Sequence, residues 1–357
     1  SDVAPPQEGG DKMKIVQVML ARGFGGAERS FLDITLDLVS RGHEVLTIVD
    51  VRGFLYPKLK ENNMFRTVGV TCLGSWDWRI VKVISKETEK FGGVIIHAHL
   101  ARAALLAGKA SKKDRIPLLV KTHNLVNLKY YKNVNCFVPT TKAQEAYLIA
   151  GGIPSTNICK IPNFSSIAIA SVQRKRSQPA VFKIKALGRF VHKKGFDLLL
   201  EAINLVRKSG QAVTLDLGGG GPEQKQLVKL IDRLGLTEVV NLVGWVDDVS
   251  QFLKDGDLFI LPSRDEPFGI VVLEAMASGI PILSSKTQGP LEILDSDMGY
   301  FTNLHTSTSL ADDILDTIRS EERHLKAAKA LECFKQNYSA SSVVAEYESL
   351  YERLLQK

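Results

Sequence analysis

Short, continuous apolar segments rich in β-branched residues alternate with helix-like segments along this chain, and the alternation runs through twice. Strands that are apolar throughout belong to parallel sheets whose two faces are both covered by helices. The pattern therefore predicts an α/β fold with two such sheets. The predicted strands are residues 14–20, 44–50, 92–99 and 117–123, and then 180–190, 213–221, 239–245, 257–263 and 280–285.

The length of the chain also favours two domains, because 357 residues exceed what one core usually holds. We expect a first domain at 13–165, a polar and basic linker at 166–180, and a second domain at 181–340. A last helix at 341–357 carries an apolar stripe that needs a partner surface. Residues 1–12 are polar and unpatterned and precede Met13, so we expect them to be a cloning remnant.

Positive charge is concentrated in the first half. Residues 13–165 hold 22 Lys+Arg against 11 Asp+Glu, a net charge of +11, whereas residues 166–357 hold 23 against 25, a net charge of −2. This asymmetry predicts an anionic partner for the first half, either an acidic substrate or a membrane surface. The aromatic and basic segments 75–85 and 102–115 favour the membrane; an ordinary solvated helix face is the alternative. No aromatic-basic RNA module is present, so nucleic acid is not expected.

The sequence also excludes several classes of protein. No stretch approaches the ~20 apolar residues that cross a bilayer. The four cysteines are scattered without the spacing of a zinc site or a disulfide framework. We therefore expect a cytoplasmic protein with reduced thiols, peripheral on the inner face of the membrane if the basic half docks there.

Three glycine-rich turns each follow a predicted strand, at residues 22–29, 187–195 and 217–223. Glycine lets backbone N–H groups approach a ligand closely, and a helix N-terminus after such a turn favours an anion. None of the turns has the GxGxxG spacing of dinucleotide-binding oxidoreductases or the GxxxxGK[ST] spacing of P-loop NTPases. For each turn taken alone, a tight strand-to-helix connection remains the alternative.

The second turn, LGRFVHKKG, carries two cations, Arg189 and Lys194. A planar guanidinium and a mobile ammonium that converge on one spot suit a diphosphate. The alternative is surface charge in the first turn of a helix, which the helix dipole disfavours.

The segment 264–279, RDEPFGIVVLEAMASG, holds two carboxylates eight residues apart. A helix beginning near Phe268 or Gly269 would leave Glu266 in the loop at its mouth and place Glu274 about one and a half turns inside. Carboxylates accept hydrogen bonds from sugar hydroxyls, and the first backbone N–H groups of the helix would face a phosphate. The alternative is that Glu266 caps the helix and Glu274 is a solvated helix residue.

The segment PSRDEPFGIVVLEAMASGIPIL resembles the E-x7-E segment of the retaining GT-B glycosyltransferases of family 4. GFGGAER, LGRFVHKKGFDLLLEA, GGGGPE and IPNFSS agree with that family's pattern in the same order, and the resemblance covers residues 13–350. It implies a GT-B fold, in which two Rossmann-like α/β domains face each other across a cleft. The first domain would bind the acceptor, the second the nucleotide sugar, and the C-terminal helix would cross back to the first. Phe164, where glycine is usual, and Pro290 depart from the pattern.

The resemblance also implies roles for individual residues. Glu274 would bind the ribose of a nucleotide sugar, and Glu266 the hydroxyls of the donor sugar. Arg189 and Lys194 would neutralise the diphosphate leaving group. The other residues near the nucleotide and its phosphates would be Gly25, Gly26, Gly220, Phe268, Gly269 and Ile270.

Histidines complete the implied site. His99 would contact the donor sugar, and His123 would lie in a second loop of the same cleft, whereas His97 is expected to be structural. The implied catalytic set is thus Glu266, His99, Arg189 and Lys194.

The implied activity is that of a hexosyltransferase with a UDP-, GDP- or ADP-linked donor and a glycan or lipid-linked acceptor, in cell-surface polysaccharide or lipopolysaccharide synthesis. Attack on the face from which the nucleotide leaves would retain configuration and require no metal and no cofactor. The paired aspartates Asp255/Asp257 and Asp295/Asp297 have metal-binding spacing, but a turn role is favoured for Asp255 and Asp257. A non-catalytic nucleotide-sugar-binding protein and another GT-B enzyme, such as an epimerase, remain the alternatives.

Overall fold

Twelve parallel strands divide equally between two sheets in the part of the chain that the computed structural model describes, residues 12–23, 25–170 and 179–356. One unit comprises the described residues up to Phe164 together with those from Ala340, and the other comprises Ser165–Ser339. The predicted α/β fold with two Rossmann-like sheets is confirmed. The expected remnant at 1–12, apart from Lys12, and residues 171–178 of the expected linker lie outside the described residues.

The first sheet has the strand order β3-β2-β1-β4-β5-β6. Its central strand β1 is buried on both faces, since every side chain from Ile15 to Met19 is removed from solvent. The strands are β1 (Lys14–Met19), β2 (Glu44–Asp50), β3 (Arg66–Val70), β4 (Ile95–His99), β5 (Leu118–Lys121) and β6 (Cys136–Val138). The helices between and after them are α1 (Gly26–Ser40), α2 (Leu55–Lys60), α3 (Trp78–Phe91), α4 (Leu100–Asp114) and α5 (Lys142–Ala150).

The second sheet repeats this arrangement with the order β12-β11-β10-β7-β8-β9. Its strands are β7 (Phe182–Leu187), β8 (Val213–Gly218), β9 (Val240–Gly244), β10 (Leu258–Leu261), β11 (Ile282–Ser285) and β12 (Tyr300–Thr302). Its helices are α6 (Phe196–Lys208), α7 (Gln224–Arg233), α8 (Val249–Leu253), α9 (Ile270–Ala277), α10 (Gln288–Ile293), α11 (Ser307–Arg319) and α12 (Arg323–Asn337).

The direction of winding reverses between two adjacent strands in each sheet, and such points hold ligands beyond the carboxyl ends of the strands. In the first sheet the two strands are β1 and β4, which pair from Ile15–Ile95 to Met19–His99. In the second they are β7 and β10. The turns that follow these four strands are therefore the places to seek the site.

The last helix, α13 (Ala340–Leu355), belongs to the first unit, as the fold prediction required. Its buried stripe includes Tyr347 and Tyr351, whereas Leu355 near its end is exposed. The hydroxyl of Tyr351 lies 2.8 Å from His97 Nδ1, and Lys121 Nζ donates to the hydroxyl of Tyr347 at 2.5 Å. The helix is thus held by polar contacts to the centre of the sheet as well as by apolar packing.

Burial lowers the pKa of Lys121 to about 7, because this lysine on β5 is removed from solvent. Within the described residues, no helix combines the length and apolar character needed to cross a membrane.

Candidate functional site

The turns at the carboxyl ends of β7, β8 and β10 are held together by backbone contacts that only glycine allows. At Gly219, with φ +129°, a Cβ atom would lie 1.9 Å from the carbonyl oxygen of Gly188. At Gly195, with φ +68°, a Cβ atom would lie 2.0 Å from the carbonyl oxygen of Pro262. Two of the three predicted glycine turns therefore serve close packing of one loop against another as well as any approach to a ligand.

An ion pair that the sequence analysis did not identify clamps two of these loops. Arg264 donates two hydrogen bonds of 2.7 Å to the carboxylate of Asp197 and a third to the carbonyl oxygen of His192. Burial would raise the pKa of Asp197, but the Arg264 guanidinium lowers it. The sequence signal was an aspartate in the first turn of α6, but nothing in the spacing showed which cation it meets.

The two cations predicted for the diphosphate lie in this loop assembly. Lys194 is largely buried and forms a short ion pair with Glu266. A Cβ atom on Gly188 would lie 3.8 Å from Cδ of Lys194, so the lysine stem passes beside the residue that precedes Arg189. Arg189 itself is exposed, and no carboxylate among the described residues lies within ion-pair distance of it.

Glu266 is a buried loop residue and not the cap of the following helix. Its carboxylate accepts from Lys194 and, at 3.4 Å, from the hydroxyl of Ser263, while its backbone carbonyl accepts from the N–H of Gly289. The N-cap position of α9 is Gly269, with φ +91°. In the described structure no side chain caps this helix, whose first backbone N–H groups include that of Ile270.

Glu274 is also buried, with 1% of its surface exposed, in the fifth position of α9. The alternative of a solvated helix residue is therefore wrong. A buried carboxylate requires a polar partner, and Glu274 is not without one. Phe268, just before the helix, is packed in the core, and Gly220 lies in the adjoining turn after β8.

In the first unit, the turn after β1 leads into α1. Gly25 is the N-cap residue of α1, and its N–H donates to Glu28 Oε2 at 2.9 Å. Gly25 and Gly26 are both exposed. These two predicted phosphate-contacting glycines are thus accessible at the first turn of the helix.

Three imidazoles lie in a row at the carboxyl ends of β4 and β5. His97 and His99 stack with ring centroids 4.4 Å apart, and His99 Nδ1 lies 3.0 Å from His123 Nε2. His99 Nε2 lies 2.8 Å from Gln17 Oε1, which can only accept, so His99 donates from Nε2 and accepts at Nδ1. Burial lowers the pKa of each histidine well below its usual value, which keeps all three neutral.

Both ring nitrogens of His99 are consequently engaged within the protein, and the residue is fully buried. His123 retains 8% exposure and has a left-handed backbone, φ +65°, which is strained for a residue with a side chain. Of the pair, only His123 has exposed surface, and His99 accepts a hydrogen bond from it.

The predicted turn role of Asp255 and Asp257 agrees with their contacts. Asp255 accepts from Lys183 and Lys185, and Asp257 accepts from the backbone N–H of Lys183. Among the described residues, no group of three or more His, Cys, Asp or Glu side chains is placed to hold a metal ion.

Comparison with known proteins gives two family matches that together span most of the chain. The family model described as "Glycosyl transferases group 1" matches residues 171–332, and that described as "Glycosyltransferase Family 4" matches residues 24–167. The lipopolysaccharide core biosynthesis glycosyltransferase LpsD of Rhizobium meliloti is 30% identical over 349 residues, 92% of this chain and 95% of that protein. LpsE of the same organism, with the same description, is 31% identical over 74% of this chain and 77% of its own length.

Solved structures share the fold. The crystal structure of Anabaena HepE in complex with UDP and glucose superimposes with a TM-score of 0.80 at 21% identity, covering 96% of this chain and all of that one. At this identity the likeness establishes the two-sheet architecture alone.

Gly195→Ala tests the backbone interlock. The methyl group would meet the Pro262 carbonyl, so we expect about 2 kcal/mol loss of unfolding free energy beyond the cost of the left-handed backbone. Gly210→Ala is the matched control, because Gly210 has φ +93° with no atom of the described structure within 4 Å of the added Cβ. Urea unfolding curves measure both; equal losses would show that the close approach at Gly195 does not constrain the loop.

Proposed function

We propose that this chain, a glycosyltransferase of group 1 and family 4, transfers a sugar from a nucleotide-diphosphate donor to an acceptor hydroxyl with retention of configuration. One observation carries the proposal. Glu266, Lys194 and Arg189 lie in interlocked loops at the point where the second sheet reverses its winding, and Glu274 is buried in the helix that follows.

The cations of the second unit would bind the diphosphate. Arg189 has no carboxylate partner among the described residues, and Lys194 has one, Glu266. A diphosphate oxygen would compete with Glu266 for the ammonium of Lys194. The freed carboxylate would then accept hydrogen bonds from hydroxyls of the donor sugar, so that nucleotide binding and sugar binding would be coupled through this pair.

Glu274 would accept from the ribose hydroxyls, and the first backbone N–H groups of α9, at Gly269 and Ile270, would face a phosphate. Gly220 would allow the backbone to come close to the nucleotide. In the first unit, Gly25 and Gly26 would approach the phosphates, and His123, oriented by His99, would contact the donor sugar.

The reaction would follow from charge on the leaving group. As the bond from the anomeric carbon to the phosphate oxygen breaks, negative charge grows on the diphosphate, where Arg189 and Lys194 stabilise it. The acceptor oxygen forms its bond on the same face, and its proton passes to the leaving phosphate oxygen. This scheme needs no enzyme nucleophile, unlike a retaining glycosidase with two carboxylates. It also needs no metal ion, and the absence of a metal requirement is part of the proposal.

The acceptor would be a glycan or lipid-linked sugar of the cell surface, because relatives similar over most of the chain are named for lipopolysaccharide core biosynthesis. UDP is the first nucleotide to test, since it is bound in a structure of the same fold.

Calorimetric titration with UDP, GDP and ADP, without added metal, tests the donor site. We expect one nucleotide to bind the wild type and Glu274→Ala to weaken it at least about tenfold, because a charge-assisted hydrogen bond to the ribose is lost. Glu321→Ala, which removes an exposed carboxylate of the same unit, is the control and should bind normally. The assignment of the donor site would be contradicted if none of the three nucleotides bound the wild type. It would also be contradicted if Glu274→Ala bound the nucleotide as tightly as Glu321→Ala.

A membrane surface on the first unit is a separate part of the proposal. Trp76 and Trp78 are 68% and 58% exposed at the start of α3, and Leu73 beside them is 54% exposed. Asp77, which lies between the two tryptophans in the sequence, is buried and accepts from the N–H of Leu73 and from Arg79, which fixes the loop. Lys82 Nζ lies 4.2 Å from the ring centre of Trp78. Exposed indoles beside lysines suit the interface of an anionic bilayer.

Vesicle flotation at low salt tests this surface. We expect the protein to float with phosphatidylglycerol-containing vesicles more than with phosphatidylcholine vesicles, and the double variant Trp76→Ala/Trp78→Ala to lose most of the difference. Trp245→Ala is the control, because Trp245 is a tryptophan of the second unit that is also more than half exposed, at 53%. Equal flotation with both vesicle types would refute the membrane surface.

A further inference from the structure

A cavity opens at the carboxyl edge of the first sheet, at the point where β1 and β4 diverge. Its volume is about 430 Å³, and it is lined by Leu20, Ala21, Arg22 and residues 99–103. We call this cavity the arginine pocket. Its lining residues include two arginines, Arg22 and Arg102, and among the described residues no Asp or Glu lines it.

The charges around the arginine pocket do not balance. Asp50 is buried and is the shared partner of Arg22, at 3.3 Å, and of Arg52, at 2.8–2.9 Å. Burial would raise the pKa of Asp50, but hydrogen bonds from Arg52 and Arg22 lower it to about 2, so the carboxylate is ionised. One negative charge therefore faces two guanidinium groups.

Arg102 adds a third positive charge with no counterpart. Its Nη1 donates to the carbonyl oxygen of Leu20 at 3.3 Å, and no carboxylate among the described residues lies within ion-pair distance. The carbonyl contact fixes the guanidinium at the pocket and leaves its other N–H groups available. Among Arg22, Arg52, Arg102 and Asp50, positive charges thus exceed negative charges by two.

The backbone adds to this positive potential. The pocket is bordered by residues 100–103, the first turn of the fifteen-residue helix α4. His99 occupies the N-cap position, but its ring is turned toward Gln17 and His123, and no side chain of the described structure caps the helix. Leu100 has φ +67°, a strained conformation that a chain keeps only where its surroundings enforce it.

We propose that the arginine pocket binds an anionic group, a phosphate or a carboxylate, carried by the acceptor. This inference rests on the proposed glycosyltransfer, in which the first unit receives the acceptor. The donor diphosphate would be bound by Arg189 and Lys194, so the donor and the acceptor would each have a separate set of basic residues. A planar guanidinium binds a phosphate or carboxylate through two parallel hydrogen bonds, which would fix the position of the acceptor as well as its charge.

Binding of small anions to the full chain tests the proposal. The probes are inorganic phosphate and glycerol 3-phosphate, with glycerol as the uncharged control, each titrated by calorimetry with and without saturating UDP. We expect both anions to bind the wild type and glycerol not to bind. Arg102→Gln should lower the affinity for both anions at least about tenfold and leave the affinity for UDP unchanged. Arg102→Lys, which keeps the charge but loses the planar fork, should show a smaller loss and covers the case in which Arg102→Gln folds poorly.

Lys142→Gln is the control, because it removes one exposed positive charge of the same unit away from the pocket. Weakened UDP binding with unchanged anion binding in Arg102→Gln would assign the arginine to the donor diphosphate and overturn the proposal. Absence of anion binding to the wild type, or an equal loss in Lys142→Gln, would also overturn it. If UDP fails to bind the wild type while the anions bind in an Arg102-dependent manner, the donor assignment fails and the anion site stands.

Discussion

Backbone approaching backbone is the constraint on which the candidate donor site depends. The carbonyl oxygens of Gly188 and Pro262 lie where a side chain on Gly219 or Gly195 would otherwise be. These contacts join the turn after β7 to the turns after β8 and β10, and the Arg264–Asp197 clamp adds a directional ion pair to the same assembly. Because the loops are fixed to each other, the backbone positions of Arg189, Lys194 and Glu266 are set before any ligand arrives, which would favour electrostatic stabilisation of a leaving group.

The two units differ in how they treat charge. In the second unit, the buried ammonium of Lys194 is matched by the buried carboxylate of Glu266, so a ligand that takes one partner must satisfy the other. In the first unit, the histidine row is kept neutral by burial, whereas the arginine pocket keeps an excess of guanidinium groups. In the proposed reaction this difference would serve the two substrates. The Lys194–Glu266 ion pair could exchange reversibly with the donor diphosphate, and the unpaired guanidinium of Arg102 could bind an anionic group of the acceptor.

Much of the fold could be predicted from the sequence, since buried parallel strands are apolar throughout and their helices are amphipathic. The strands missed were β3, β6 and β12, which lie at sheet edges and are only three to five residues long. β3 and β12 are also partly exposed, whereas β6 is apolar but too short to stand out as a strand. In the candidate site, Arg189, Lys194, Glu266 and Glu274 were proposed from spacing and family resemblance, and their roles stay predictions. Spacing could not reveal contacts between distant segments: the Arg264–Asp197 clamp, the engagement of both nitrogens of His99, and the bonds of Tyr347 and Tyr351 to Lys121 and His97.

Same-face transfer from a nucleotide sugar would give a first-formed product with the anomeric configuration of the donor, so the configuration of that product tests the proposed mechanism. The wild type would be given the glucose derivative of the nucleotide that binds, in the presence of EDTA, and proton NMR would follow the anomeric signal of the sugar as it is released or transferred. We expect turnover in EDTA and a first product with the α configuration of the donor. A β-configured first product, or turnover that appears only when a divalent cation is restored, would contradict the proposed mechanism.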